Sequence, residues 1–277
     1  MADTLSLGDA EAAPQGVGYL TVTVGNKGSA KIAGMLADGT RVMQSSKLIL
    51  FGACGPEACV PFFAPLYTKK GWAGGLLWID PASRAAVTDR DLDWFIRWEK
   101  PGKGVDGFSV LLDACGGLYN TIPALEAHYL FSAETNDVAY HYTGGAASIQ
   151  SEALPHAINV TANGTRLTLA RGTRPAHLVN GAYDYSAENS SLATLLLTAR
   201  TGIFRGRFNL YYDYTVAGRL YHKTVRVPYA GVLTPVRSGI FADQPAGQGY
   251  YLVPDNTPAF LRYGLKRSYR IELDDVP

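Results

Sequence analysis

"TGIFRGRFNLYYDYTVAGRLYHKTVRVPYAGVL", residues 201–233, decides the fold. Phe204, Gly206, Phe208, Leu210 and Tyr212 fall on one pleat face, and Arg205, Arg207, Asn209 and Tyr211 on the other. Such alternation over many residues is a strand pattern. The stretch "DYTVAGR", residues 213–219, reads as the hairpin loop that joins two long strands. Pro228, in "TVRVPYAGV", removes a ladder donor and so marks an edge strand or a bulge.

The tyrosines of this hairpin admit two readings. Tyr211, Tyr212, Tyr214 and Tyr221, with Asp213 and Arg219 near the turn, suit a sugar: a ring packs on the apolar face of a pyranose while charges bind its hydroxyls. Alternatively the rings cover a sheet face at cross-strand positions, and the basic residues solubilise the protein and protect an edge.

Working outward, strands recur nearly everywhere. "YLTVTV" from Tyr19 places Leu20, Val22 and Val24 on one side; "GNKG" then reverses the chain into "SAKIAGML", and "ADGT" leads into "RVMQSSKLILF". These three strands predict a meander. Further strands are expected at 61–67, 74–79 and 92–98, and "HAINVTANGTRLTLARG" predicts a hairpin turning at Asn163 and Gly164. "IPALEAHYLFSAE", residues 122–134, is ambiguous between a short helix and a strand, and little helix is expected elsewhere.

Residues 20–42 and 195–213 share an order of apolar strand, glycine turn and glycine-bearing strand, which suggests an internal repeat. The small, polar stretch 143–155 is the candidate boundary. The expected fold is therefore all-β, two related antiparallel barrel or sandwich units in tandem: a leader over 1–16, a first unit over 17–142, a linker over 143–155 and a second unit over 156–277.

Composition limits the partners. A formal charge of +1 supplies no global field for nucleic acid, and no apolar run reaches the length that spans a bilayer, so neither nucleic-acid binding nor membrane insertion is expected. The start shows no signal peptide, which fits either a cytosolic chain or a mature secreted one. Cys54 and Cys59 are close enough to bridge locally, while Cys115 has no sequence neighbour; the alternative is three reduced thiols. His128, His141, His156, His177 and His222 are scattered without ligand spacing, so no metal and no cofactor is expected.

Other chemistry is weakly signalled. Asp89, Asp91 and Asp93 could present carboxylates along one strand face, although a solvated turn explains them as well. Trp72, Trp78, Trp94 and Trp98 read as core rather than as a ligand platform. No nucleophile elbow, phosphate loop or zinc-protease motif is present, and sequons at Asn159, Asn163 and Asn189 matter only in a eukaryotic secretory host.

"GYLTVTV", "GSAKIAGMLADGTRV" and "VPFFAPLYTKKGWAGGLLWID", followed later by "LLLTARTGIFRGRFNLYY", "KTVRVPYAGVL" and "GQGYYLV", resemble a glycine-rich β-repeat found in tandem in large secreted or surface proteins of bacteria. The likeness covers most of residues 17–253, and the insert around Cys54 and Cys59 departs from it. The resemblance implies an extracellular all-β module without transferable catalytic residues. The expected function is thus a noncatalytic structural, adhesive or assembly-forming module joined to other modules or to itself. The alternatives are a carbohydrate-binding module using the tyrosine hairpin and a glycan-active enzyme, which would need two convergent acids.

Overall fold

A computed structural model describes residues 4–6, 13–50, 58–80, 85–87, 96–102, 106–117, 119, 147–151, 153–163, 166–178, 181–233, 247–254 and 265–275. The fold is all-β, as the alternating sequence predicts. Its first strands are β1 (Thr4–Ser6), β2 (Tyr19–Val24), β3 (Ser29–Met35), β4 (Arg41–Lys47), β5 (Ile49–Leu50), β6 (Ala58–Leu66) and β7 (Gly71–Asp80). There follow β8 (Ala85–Val87), β9 (Ile96–Lys100), β10 (Phe108–Leu112), β11 (Cys115–Gly117), β12 (Ala147–Gln150), β13 (Ile158–Asn163) and β14 (Arg166–Leu169). The last are β15 (Thr194–Thr198), β16 (Ile203–Val216), β17 (Arg219–Leu233), β18 (Gly247–Pro254) and β19 (Lys266–Asp275). Among the described residues no helix is long and apolar enough to cross a membrane.

Contacts divide the chain into two units: residues 1–119, 234–244 and 252–269, and residues 120–233, 245–251 and 270–277. In the first, β2, β3 and β4 form the expected meander, with Leu20 opposite Gly34 and Val22 opposite Ile32. A larger sheet runs β1-β10-β9-β7-β6-β5, with β8 and β11 off its side. Ile32, Val42, Val60, Trp98 and Val110 are fully buried, so Trp98 is core, as expected. Each such side chain contributes about 1.5–3 kcal/mol of burial free energy.

The turn between β6 and β7 is unusual. Tyr67, Thr68 and Lys69 have φ of 52°, 56° and 67°, three successive left-handed residues without a glycine. Anchoring at Tyr67 holds them there: its hydroxyl donates to Asp38 Oδ2 at 2.7 Å and accepts from Trp98 Nε1 at 3.0 Å. Burial and the Asp38 charge raise the Tyr67 phenol above the ordinary tyrosine range.

The second sheet has the order β14-β13-β12-β19-β18-β17-β16-β15, and its end strands β14 and β15 lie near each other, giving a nearly closed barrel. Phe204, Phe208, Tyr251, Ile149, Ile158, Ile271 and Leu273 fill its interior. The expected hairpin near Asn163 is present: Asn163 pairs with Arg166, and the two turn residues lie outside the described residues. So do the ambiguous stretch 122–134, the acids Asp89, Asp91 and Asp93, and Trp94. β9 begins at Ile96, later than the expected 92, and residues 91–95 are likewise outside.

Candidate functional site

The hairpin of β16 and β17 is paired without a break from Ile203 with Val232 to Val216 with Arg219, so it contains no bulge. Its outer part is an arm. On β16 the β15 pairing covers Ile203–Arg207, and on β17 the β18 pairing covers Tyr229–Leu233, so among the described residues positions 208–216 and 219–228 are strand-paired with each other alone. Pro228 stands where β17 leaves the β18 ladder and becomes an edge, the place where a missing N–H costs least. Ala217 and Gly218 close the tip with φ of 49° and 78°, the two positive values a tight two-residue hairpin turn requires.

Register divides the sequence-predicted site residues between two faces. Residues directly opposite in an antiparallel pair share a face. Tyr212 with Lys223, Tyr214 with Tyr221, and Val216 with Arg219 therefore form one face, while Tyr211 with Thr224 and Asp213 with His222 form the other. Burial shifts along the same strand: Phe204 and Phe208 are buried in the barrel, but beyond them the odd-numbered Tyr211 is covered and Tyr214 is 43% exposed.

The open face is aromatic and cationic. Tyr214 and Tyr221 stack at 5.5 Å between centroids and 20° between planes. The Arg219 guanidinium lies 5.4 Å from the Tyr221 ring, and Lys223 Nζ lies 5.4 Å from the Tyr212 ring. Tyr212 beside Lys223 also holds that ammonium above the usual lysine range. Leu220 and Val216 are exposed at the tip.

The opposite face is covered by residues 171–178 and 181–186, which pair as a small hairpin where Leu178 N–H donates to Ala182 O, Asp184 N–H to Ala176 O, and His177 bridges Tyr183. Both bridged side chains reach Asp213. His177 Nε2 is 2.8 Å from Oδ2, the Tyr183 hydroxyl donates to Oδ1 at 2.7 Å, and His222 Nδ1 is 2.7 Å from the same Oδ1. Hydrogen bonds from His177, His222 and Tyr183 hold the Asp213 carboxyl well below the usual carboxylate range. Because an ionised carboxylate only accepts, both imidazoles must donate N–H to it, which fixes their tautomers. Burial, together with the bond to Asp213, pushes the Tyr183 phenol up to about 12.

Two aromatic contacts extend this cluster. Tyr183 packs 5.7 Å from Tyr211, and Arg174 lies 5.9 Å from the Tyr211 ring. The covering segment is tied down at Asn189, which is buried: its Nδ2 donates to Ala170 O and Ala193 O, and its Oδ1 accepts from Ala193 N. The sequon asparagine at 189 is therefore a structural residue. His177 and His222 were passed over in sequence because they stand 36 and 9 residues from Asp213. The pairing of Asp213 with His222 follows once the turn is placed at Ala217 and Gly218; nothing in the sequence points to His177.

Elsewhere, Cys59 is a buried free thiol on β6 whose acidity is lowered by burial, and Cys54 lies outside the described residues. Trp72 is half-buried, its indole N–H donating to Glu99 Oε2 at 2.9 Å while its ring stacks on the exposed Phe63. Comparison of the chain with protein-family models, with curated proteins and with solved structures finds no match.

Proposed function

We propose that this chain is a noncatalytic adhesive module of the extracellular space or cell surface, one of the tandem β-repeat type, which grips an acidic partner surface with the open face of its arm. One observation carries the reading: Tyr212, Tyr214, Arg219, Tyr221 and Lys223 share a face of a two-stranded arm that no other strand among the described residues flanks. Aromatic area supplies contact at low entropic cost, and cations held over rings are already ordered for an acidic group. In residues 203–233 there are five bases, Arg205, Arg207, Arg219, Lys223 and Arg226, and a single acid, Asp213, whose carboxylate is taken up by hydrogen bonds on the other face.

The stacked, exposed Tyr214 and Tyr221 favour a second reading, a carbohydrate-binding module in which this pair stacks on a pyranose. Asp213 takes no part in it, since three hydrogen bonds occupy its carboxylate. Surface-immobilised poly-glutamate and a panel of neutral glycans separate the two. Salt-sensitive binding to poly-glutamate, lost in Arg219→Glu with Lys223→Glu, supports the adhesive reading. Salt-insensitive glycan binding lost in Tyr214→Ala supports the second reading, and binding to neither probe overturns both.

A further inference from the structure

On the covered face of the arm, His177 Nε2, His222 Nδ1 and an Asp213 oxygen lie within 4.8 Å of one another. These three donors come from two separate elements, the small hairpin and the arm. Their side chains are 30%, 50% and 19% exposed, so an ion can enter from solvent and keep a water as a further ligand. We propose that His177, Asp213 and His222 form a binding site for a borderline divalent transition metal of the zinc class, which clamps the small hairpin onto the arm.

Donor chemistry selects the class of metal. Two imidazoles and one carboxylate suit zinc and its neighbours, whereas calcium and magnesium demand a shell of oxygens. Size also fits. Zinc with bonds of about 2.0–2.2 Å spaces tetrahedral ligands about 3.4 Å apart. The donors here stand between 2.7 Å and 4.8 Å apart, so shifts of up to about 0.7 Å at each ligand would seat the ion.

Protons balance simply. In the metal-free protein each imidazole gives its N–H to Asp213; on binding, that proton moves through water to the other ring nitrogen, and the freed lone pair takes the metal. No net proton is released from neutral rings. Tyr183 acts as a positioning residue: its hydroxyl stays on Oδ1 and leaves Oδ2 to face the ion. The adhesive reading uses the opposite face of the arm, so either proposal can fail alone.

The test is titration of the full chain with Zn2+ by calorimetry and with Co2+ by visible absorption, against His177→Gln, His222→Gln, Asp213→Asn and, as control, His156→Gln. His156 contacts the Glu188 carbonyl instead of this cluster. The expected result is one equivalent bound, with affinity lowered about tenfold or more in each of the three site variants, unchanged in the control, and not competed by excess Mg2+. Zn2+ should also raise the unfolding temperature of the unsubstituted chain but not of Asp213→Asn, and circular dichroism verifies that each variant folds. Absence of binding, or binding that survives loss of either histidine, leaves a hydrogen-bonded latch and overturns the site.

Discussion

The Tyr229 hydroxyl donates to the Thr194 carbonyl at 2.7 Å, reaching across the strand that lies between them. The reach depends on Gly206, directly opposite Tyr229 in the ladder: a Cβ there would stand 2.5 Å from the Tyr229 hydroxyl oxygen and 1.8 Å from the Thr194 carbonyl oxygen. The ring thus lies over bare backbone, buried, and burial raises its phenol above the ordinary tyrosine range.

Gly206→Ala should accordingly destabilise the protein by about 3 kcal/mol or more, because the nearest clash is with the Thr194 backbone carbonyl and the next is with the buried Tyr229 ring. Tyr229→Phe should cost about 1–2 kcal/mol for the lost, partly buried hydrogen bond. Urea unfolding measures both. Equal costs for the two variants would mean that the glycine is not there to admit the ring.

Acid and base should loosen the covering segment in different windows. Asp213 has a depressed pKa, so its bonds contribute fully above its unfolded value near 4 and are lost progressively as the pH falls through the folded one. The raised Tyr183 works in the opposite sense: its contribution is complete below about 10 and is lost as the pH rises through about 12. Hydrogen exchange at Leu178 and Asp184 reads the segment directly, since both amides close its small hairpin. Asp213→Asn should remove the acid window, and Tyr183→Phe the alkaline one.

Much of the fold was legible because period-two patterning and glycine turns are local. The meander from Tyr19 and the pleat faces of β16 both follow from alternation. Alternation alone did not reveal that the sheet around β16 ends partway along it. Which neighbours flank a strand is set by distant pairings, here β15 and β18, and that limit is what turns the outer residues into an arm. The same cause split the expected tyrosine site: Tyr212, Tyr214, Arg219 and Tyr221 stay together, while Tyr211 and Asp213 turn to a covering segment that no short motif announces.

Asn189 is the anchor of that segment. Its amide satisfies the Ala170 and Ala193 carbonyls and the Ala193 N–H. Replacement by alanine leaves these groups without the side chain and should cost about 2–4 kcal/mol. Asn189→Asp tests the geometry more finely: it keeps the acceptor for Ala193 N–H but loses both donors, so it should fall below the wild type as well. Thermal unfolding measures the loss, and an unchanged midpoint in Asn189→Ala would show that the segment is held elsewhere.

The tip of the arm offers a change in the opposite direction. Ala217 occupies a left-handed conformation, φ 49°, beside Gly218 at 78°. An alanine Cβ crowds its own carbonyl there, at a cost of about 1 kcal/mol, whereas asparagine tolerates the region and Asn-Gly is the favoured pair for this turn. Ala217→Asn should therefore stabilise the outer arm by about 0.5–1 kcal/mol, read as slower amide exchange at Val216 and Arg219, which flank the turn. Because the side chain at 217 is exposed, no packing is lost to mask the gain. Replacement by valine, whose branched Cβ fits the left-handed region worst, should speed exchange at the same two amides, and equal exchange in all three proteins would mean that the tip conformation does not limit the arm.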